Sequence, residues 1–238
     1  MFTYSRRGLH GRVVHDIGLR ILRGDLKPGA MLDTESVERE YEVSRTVVRE
    51  AIKVLAAKGL LEARPKRGTV VREREAWNLL DPDLVAWQFE GKPNEAFIVA
   101  LNELRLIFEP AGARLAAERA TNDEIAAIET AFNRMRAQHG NVEGVTAADI
   151  VLHRVILNAT HNELLMRFES IIEAGLRVRH HLAFSINWDA AYLDLHADVV
   201  AAIRHHLPDA AESAMRTLLV TAAADAERAL NAFGGDLL

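Results

Sequence analysis

The 238-residue chain contains no cysteine. That excludes disulfides, zinc–thiolate centres and cysteine nucleophiles, so any metal must be held by histidines and carboxylates. No run of about 18 uncharged apolar residues occurs, the length a membrane helix needs. The N-terminus, MFTYSRRGLHGR, lacks the apolar block of a secretory signal. These absences predict a cytoplasmic protein with no membrane partner. There is no internal repeat and no low-complexity tract. From Glu95 onward glycine and proline are scarce, alanine is abundant and apolar residues recur at three-and-four spacing, which predicts an antiparallel all-α helical bundle.

The length exceeds the about 100 to 200 residues of one domain. The expected division is a head at 1–75, a packed connector at 76–94, and an all-α domain at 95–238. Charge supports a split. The net charge is −5, but residues 1–75 carry 16 Lys+Arg against 11 Asp+Glu, and the remainder 13 against 23. A basic head on an acidic body is what arises when only one domain meets phosphate.

Within the head, Val13, Val14, Ile17, Ile21 and Leu22 recur at helical spacing, and Gly24 follows as a stop. Lys27-Pro28-Gly29 reads as a turn, and Asp33 or Thr34 can cap a short second helix running to about Glu42. Ser44 stands where an N-cap oxygen is wanted and opens a third helix ending at Gly59. Two β-prone stretches, 60–63 and 69–72, flank Arg64-Pro65-Lys66-Arg67-Gly68 and predict a small basic hairpin. On the third helix, Val48, Ala51, Ile52 and Leu55 form one stripe. Arg49, Lys53 and Thr46 point away from it, with Arg45 on its flank. A cationic ridge of this kind fits the major groove, where Arg donates two bonds to guanine and Ser44 or Thr46 reaches phosphate or base edges. Lys66, Arg67 and Gly68 at the hairpin tip would lie along the adjacent backbone or minor groove.

The stretch LKPGAMLDTESVEREYEVSRTVVREAIKVLAAKGLLEARPKRGTVV resembles the winged helix-turn-helix of the GntR family across nearly the whole motif. It departs from the family's usual Leu-Pro-Ser-Glu at Leu32-Asp33-Thr34-Glu35, and Ser36 stands where some members carry a DNA-contacting Arg. The resemblance implies binding to double-stranded operator DNA.

In the body, Asp149 and His153 are four apart and therefore share one helix face, which continues through Leu152 and Ile156. His196 begins an inward stripe with Val199, Val200 and Ile203. Buried ionisable groups are costly unless paired or coordinated, so the three are either a hydrogen-bonded core cluster or ligands for Zn²⁺, Ni²⁺ or Mn²⁺. Arg105 offers a two-bond fork to a carboxylate, or a salt bridge to Glu103 or Glu109. No nucleophile motif is evident and no general base stands beside the metal residues, which argues against an enzyme.

LNELRLIFEPAGARLAAERAT, ADIVLHRVILNATHNELL and LHADVVAAI resemble the ligand-sensing FCD domain of FadR-type GntR regulators. Many such domains bind a metal through an Asp-x-x-x-His pair and two further His. Asp149, His153 and His196 match the first three positions, whereas Leu218 falls where the fourth ligand usually stands. His180 and His181 are candidate substitutes, and His181 and Arg105 candidate effector contacts. The connector, with Trp77-Asn78-Leu79-Leu80-Asp81 and Trp87, resembles that of regulators responding to D-galactonate and related sugar acids. The resemblance implies a homodimeric repressor of a sugar-acid operon that reads an inverted repeat and is released by a small carboxylate. A fatty acyl-CoA-responsive regulator is the alternative within the architecture, and a metal-dependent enzyme the alternative outside it.

Overall fold

A computed structural model describes residues 8–64, 68–90, 95–138, 140–183 and 190–233. The chain forms two compact units, Met1–Asn94 and Glu95–Leu238. Ten α-helices and one two-stranded sheet occur among the described residues. The architecture is mainly α: helices and a hairpin followed by an all-α domain, as the residue patterns predict, in the winged helix-turn-helix arrangement that the resemblance implies.

In the first unit, α1 (Gly8–Leu22) buries Val13, Val14, Ile17 and Ile21. Asp33 caps α2 (Thr34–Glu40) by accepting from the N–H groups of Glu35 and Ser36. This helix stops two residues before the expected Glu42, which takes a left-handed φ of 52° and closes the turn. Ser44 caps α3 (Arg45–Ala57), which buries Val48, Ala51 and Leu55. Gly59 follows at φ +78°, and a Cβ there would collide with the Ala76 carbonyl oxygen. Conformation and space both require glycine at that turn.

Strands β1 (Leu61–Arg64) and β2 (Gly68–Val71) pair antiparallel with Leu61 opposite Val71, near the predicted hairpin. The segment after the Lys27-Pro28-Gly29 turn also joins them. Gly29 N–H donates to Val71 C=O, Val71 N–H to Ala30 C=O and Leu32 N–H to Thr69 C=O, each at 2.9 Å. These bonds saturate one side of β2 and brace the wing on the helices.

Residues 73–90 pack into the same core. After one 3₁₀ turn (Arg74–Ala76), α4 (Pro82–Trp87) starts at Asp81, whose side chain caps it. Trp77, Leu84 and Trp87 share a cluster with Val13, Ile17 and Leu55. Trp87 lies so close over Gly18 that a Cβ there would run into its ring.

The second unit comprises α5 (Glu95–Arg119), α6 (Asn122–Ala137), α7 (Val142–Asn158), α8 (Glu169–Ala183), α9 (Ala190–Arg204) and α10 (Pro208–Phe233). Thr121 and Glu124 form a reciprocal capping box for α6. Asn141 accepts from Gly144 N–H and starts α7. Helix does not run unbroken from α7 into α8. His161 is left-handed (φ 51°), and the Asn162 side chain accepts from the N–H groups of Leu164 and Leu165. This local bonding competes with helix, and only a 3₁₀ turn (Leu165–Phe168) precedes α8. The core joins Ala113, Ala116 and Ala117 of α5 with Leu152 and Ile156 of α7, Val199 and Ile203 of α9, and Met215 and Leu218 of α10.

Candidate DNA-reading face and metal centre

Because Val48, Ala51 and Leu55 turn α3 inward, Arg45, Thr46, Arg49 and Lys53 are left exposed on its outer side. Ser44 is exposed as well, and its hydroxyl accepts from Val47 N–H at 3.5 Å. The ridge is not purely cationic. Glu50 is exposed on it and accepts a 2.7 Å bond from Lys53 Nζ, which with the Lys53 charge holds its carboxyl below the ordinary value. Gly68 opens β2 at φ +74°, exposed and with open space where a side chain would start. Lys66 and Arg67 lie outside the described residues.

In the second unit α7 and α9 bring Asp149, His153 and His196 together, fully buried, with ligand atoms within 4.8 Å of one another. His153 Nε2 lies 3.3 Å and His196 Nε2 3.2 Å from Asp149 Oδ1. The distance from His196 Nδ1 to the Tyr192 carbonyl is 2.8 Å. An N–H there donates to that oxygen and leaves the lone pair on Nε2. That Nε2 is buried and makes no well-directed hydrogen bond among the described residues. A divalent ion with bonds of about 2.0–2.2 Å sets neighbouring ligand atoms roughly 3.0–3.5 Å apart. The donor types, the two separations from Asp149 and the open Nε2 therefore fit a metal. Leu218 is buried among apolar neighbours in α10, so the described donor set has three members. His180 and His181 fall within α8, but their side chains lie outside the described residues.

Three further side chains complete the cluster. Arg105 is buried, and its Nε–H donates to Glu109 Oε1 at 2.5 Å. The other oxygen, Oε2, lies 2.6 Å from His153 Nδ1. The Tyr192 hydroxyl donates to Asp149 Oδ2. Burial pushes the Glu109 carboxyl up, but Arg105 and then His153 outweigh it and hold the pKa down to about 2. Burial likewise opposes a charge on His153, yet Glu109 and Asp149 raise its pKa to about 9. Burial lowers Arg105 as well, and Glu109 more than offsets it.

Of the two salt-bridge partners the spacing offered Arg105, Glu103 is exposed and Glu109 is taken into the core. Glu109, Tyr192 and Glu50 did not stand out as functional candidates in the sequence. For Glu109 a signal was present: an acidic residue between Phe108 and Pro110, on the turn preceding Ala113. For Tyr192 the only cue was its i,i+4 spacing to His196.

Residues 9–71 match the family described as bacterial regulatory proteins, gntR family, and residues 100–221 match the FCD domain. The galactonate operon transcriptional repressor of Escherichia coli K12 is 36% identical over 217 residues, 88% of this chain and 93% of that protein. An uncharacterised HTH-type regulator of the same strain, YieP, is 33% identical over 219 residues, 90% and 94% of the two chains. Among solved structures, Lar of Listeria monocytogenes, described as controlling expression of the agr system, has a TM-score of 0.63 at 18% identity. It covers 93% of this chain and 98% of that one, a likeness of fold alone. No helix among the described residues is long and apolar enough to cross a membrane.

Proposed function

The chain belongs to the gntR family of bacterial regulatory proteins and carries an FCD domain, which makes it a metabolite-responsive DNA-binding transcription regulator; from that premise we propose that it represses a sugar-acid catabolic operon and leaves its operator when an aldonate binds. The observation that carries this reading is the 36% identity to a galactonate operon repressor, which extends through the unit holding Asp149, His153 and His196.

Those three residues would hold a divalent ion, Zn²⁺, Ni²⁺ or Mn²⁺. When bound, the ion supplies a Lewis acid whose remaining positions suit the hydroxyl and carboxylate oxygens of a hydroxy acid. Arg105 adds a buried cation to the same cluster, which favours an anionic effector. The apolar residues of α7 and α9 around the donors exclude water and fix their rotamers. On the DNA side, a homodimer presents two copies of α3 to an inverted repeat, the protein's two-fold symmetry mirrored in the operator. Arg45 and Arg49 read base edges, with Ser44, Thr46, Lys53 and the wing residues Lys66, Arg67 and Gly68 on backbone or groove. Effector and operator oppose each other through a coupling of about 1–3 kcal/mol, enough to empty a promoter site.

The test is a gel shift of metal-supplemented protein on the DNA upstream of its own gene, repeated with a panel of aldonates and other hydroxy acids. An aldonate should release the DNA. A complex indifferent to the whole panel would overturn the sugar-acid reading while leaving the family assignment untouched.

A further inference from the structure

Glu109 is the group most closely engaged with His153, although it belongs to no donor set read from the sequence. It is buried on α5, its side chain 1% exposed; Oε1 accepts from Arg105 Nε–H at 2.5 Å, and Oε2 lies 2.6 Å from His153 Nδ1, an ion-pair contact that is not directed as a hydrogen bond in this ring pose. We infer that Glu109 is a positioning residue for the metal centre: it takes the Nδ1–H of His153, so that the Nε2 lone pair faces Asp149 and His196, and Arg105 holds Glu109 in that pose. The inference rests on the metal reading above.

Three observations bear on it. An ion pair made only to neutralise Arg105 would engage no imidazole, and the second oxygen of Glu109 does. Buried ion pairs are in any case a weak source of net stability compared with apolar packing, so stability gives little reason to bury this one. Room for the guanidinium is provided by α8, where Gly175 stands in place of a side chain. A Cβ there would lie 2.8 Å from Arg105 Cδ and 2.8 Å from Nη1. The path Gly175, Arg105, Glu109, His153 thus runs across α8, α5 and α7 to one ring. A hydrogen-bonded carboxylate on the far nitrogen fixes a ligating imidazole's tautomer and raises its basicity, and its loss typically costs 10–100-fold in metal affinity. Through Glu109, Arg105 accordingly acts on the metal residues as well.

Removing Glu109 alone would strand the Arg105 charge, so the experiment compares two uncharged double variants of the full chain, Arg105→Met with Glu109→Gln and Arg105→Met with Glu109→Leu. Glutamine keeps an acceptor for His153 Nδ1–H and leucine does not. Zn²⁺ affinity is measured by competition with a chromophoric chelator, and the His153 tautomer by ¹⁵N-imidazole NMR. The glutamine variant should bind Zn²⁺ at least about tenfold tighter than the leucine variant and keep Nδ1 protonated. Equal affinities with an unchanged His153 tautomer overturn the role of Glu109 alone. A wild-type chain that binds no Zn²⁺, Ni²⁺ or Mn²⁺ overturns the metal reading and this inference with it.

Discussion

Two buried side chains make the stability of the second unit depend on pH in opposite senses. Glu109 has a pKa of about 2 against an ordinary 4.5. Its contribution is complete above 4.5 and disappears as pH falls through 2. His153 stands at about 9 against 6.5, so its contribution is complete below 6.5 and disappears as pH rises through 9. Metal-free protein is therefore expected to lose stability on both sides of the interval from 4.5 to 6.5, as read from urea midpoints across a pH series. Metal binding should run against the upper limb, because a ligating imidazole must shed its proton. Affinity is expected to climb with pH until about 9, with release of about one proton seen by titration calorimetry in buffers of different ionisation enthalpy. On the head, Arg49→Ala should abolish specific operator binding with an unchanged circular dichroism spectrum, since a forked Arg–guanine contact discriminates by about 1–3 kcal/mol. Retained operator affinity would remove α3 as the reading helix. With α3 in the groove Glu50 would meet repulsion from phosphate, so Glu50→Gln is expected to tighten binding to unrelated DNA, and a fall there would count against its place on the DNA-facing ridge.

Elements differ in how far a local pattern can announce them. The caps at Asp33 and Ser44 and the glycine stop at Gly59 are written in adjacent residues, and so is the stripe of Val48, Ala51 and Leu55. Asp149 and His153 were legible for the same reason, one helical turn apart on an apolar face. The third edge at Gly29–Leu32, the break at Asn162 and the pairing of Glu109 with His153 were not. Each depends either on a partner distant in the chain or on a side chain that competes with helix, and an Arg–Glu pair at i,i+4 reads alike whether buried or solvated. Lys58 belongs to this second group. By pattern it is only the last residue of a helix, yet its Nζ sits 2.8 Å from Asp81 Oδ1, 2.5 Å from Asp83 Oδ2 and 5.8 Å from the Trp87 ring. It fastens the C-terminal end of α3 to α4. Burial lowers its pKa, but the two aspartates more than offset this, so the pair's stabilisation holds below 10.5 and fades only above it. Lys58→Met leaves a buried Asp83 carboxylate without this cation and should cost about 3–5 kcal/mol. A urea melt followed by Trp fluorescence would check it, and a cost under about 1 kcal/mol would mean the clamp is slack.

For the whole molecule, the basic surplus lies in residues 1–75 and the acidic surplus beyond them. The salt dependence of operator binding should therefore be set by the head. If Lys53 neutralises a phosphate, Lys53→Ala should lower the slope of log affinity against log salt by about 1, and an unaltered slope would take it off the backbone. The polar cluster of the second unit has a different reach. Through Gly175, Arg105, His153 and Tyr192 it stitches α8, α5, α7 and α9 where apolar packing would otherwise join them. Four helices thus share one seam, and an ion held by its donors would tighten all four at once. The unit is in effect its own thermometer. An occupant at a hundred times its dissociation constant adds about 2.7 kcal/mol, a rise of roughly 5–10 °C in its melting temperature. Metal and effector can be ranked by heating alone, with no DNA in the tube.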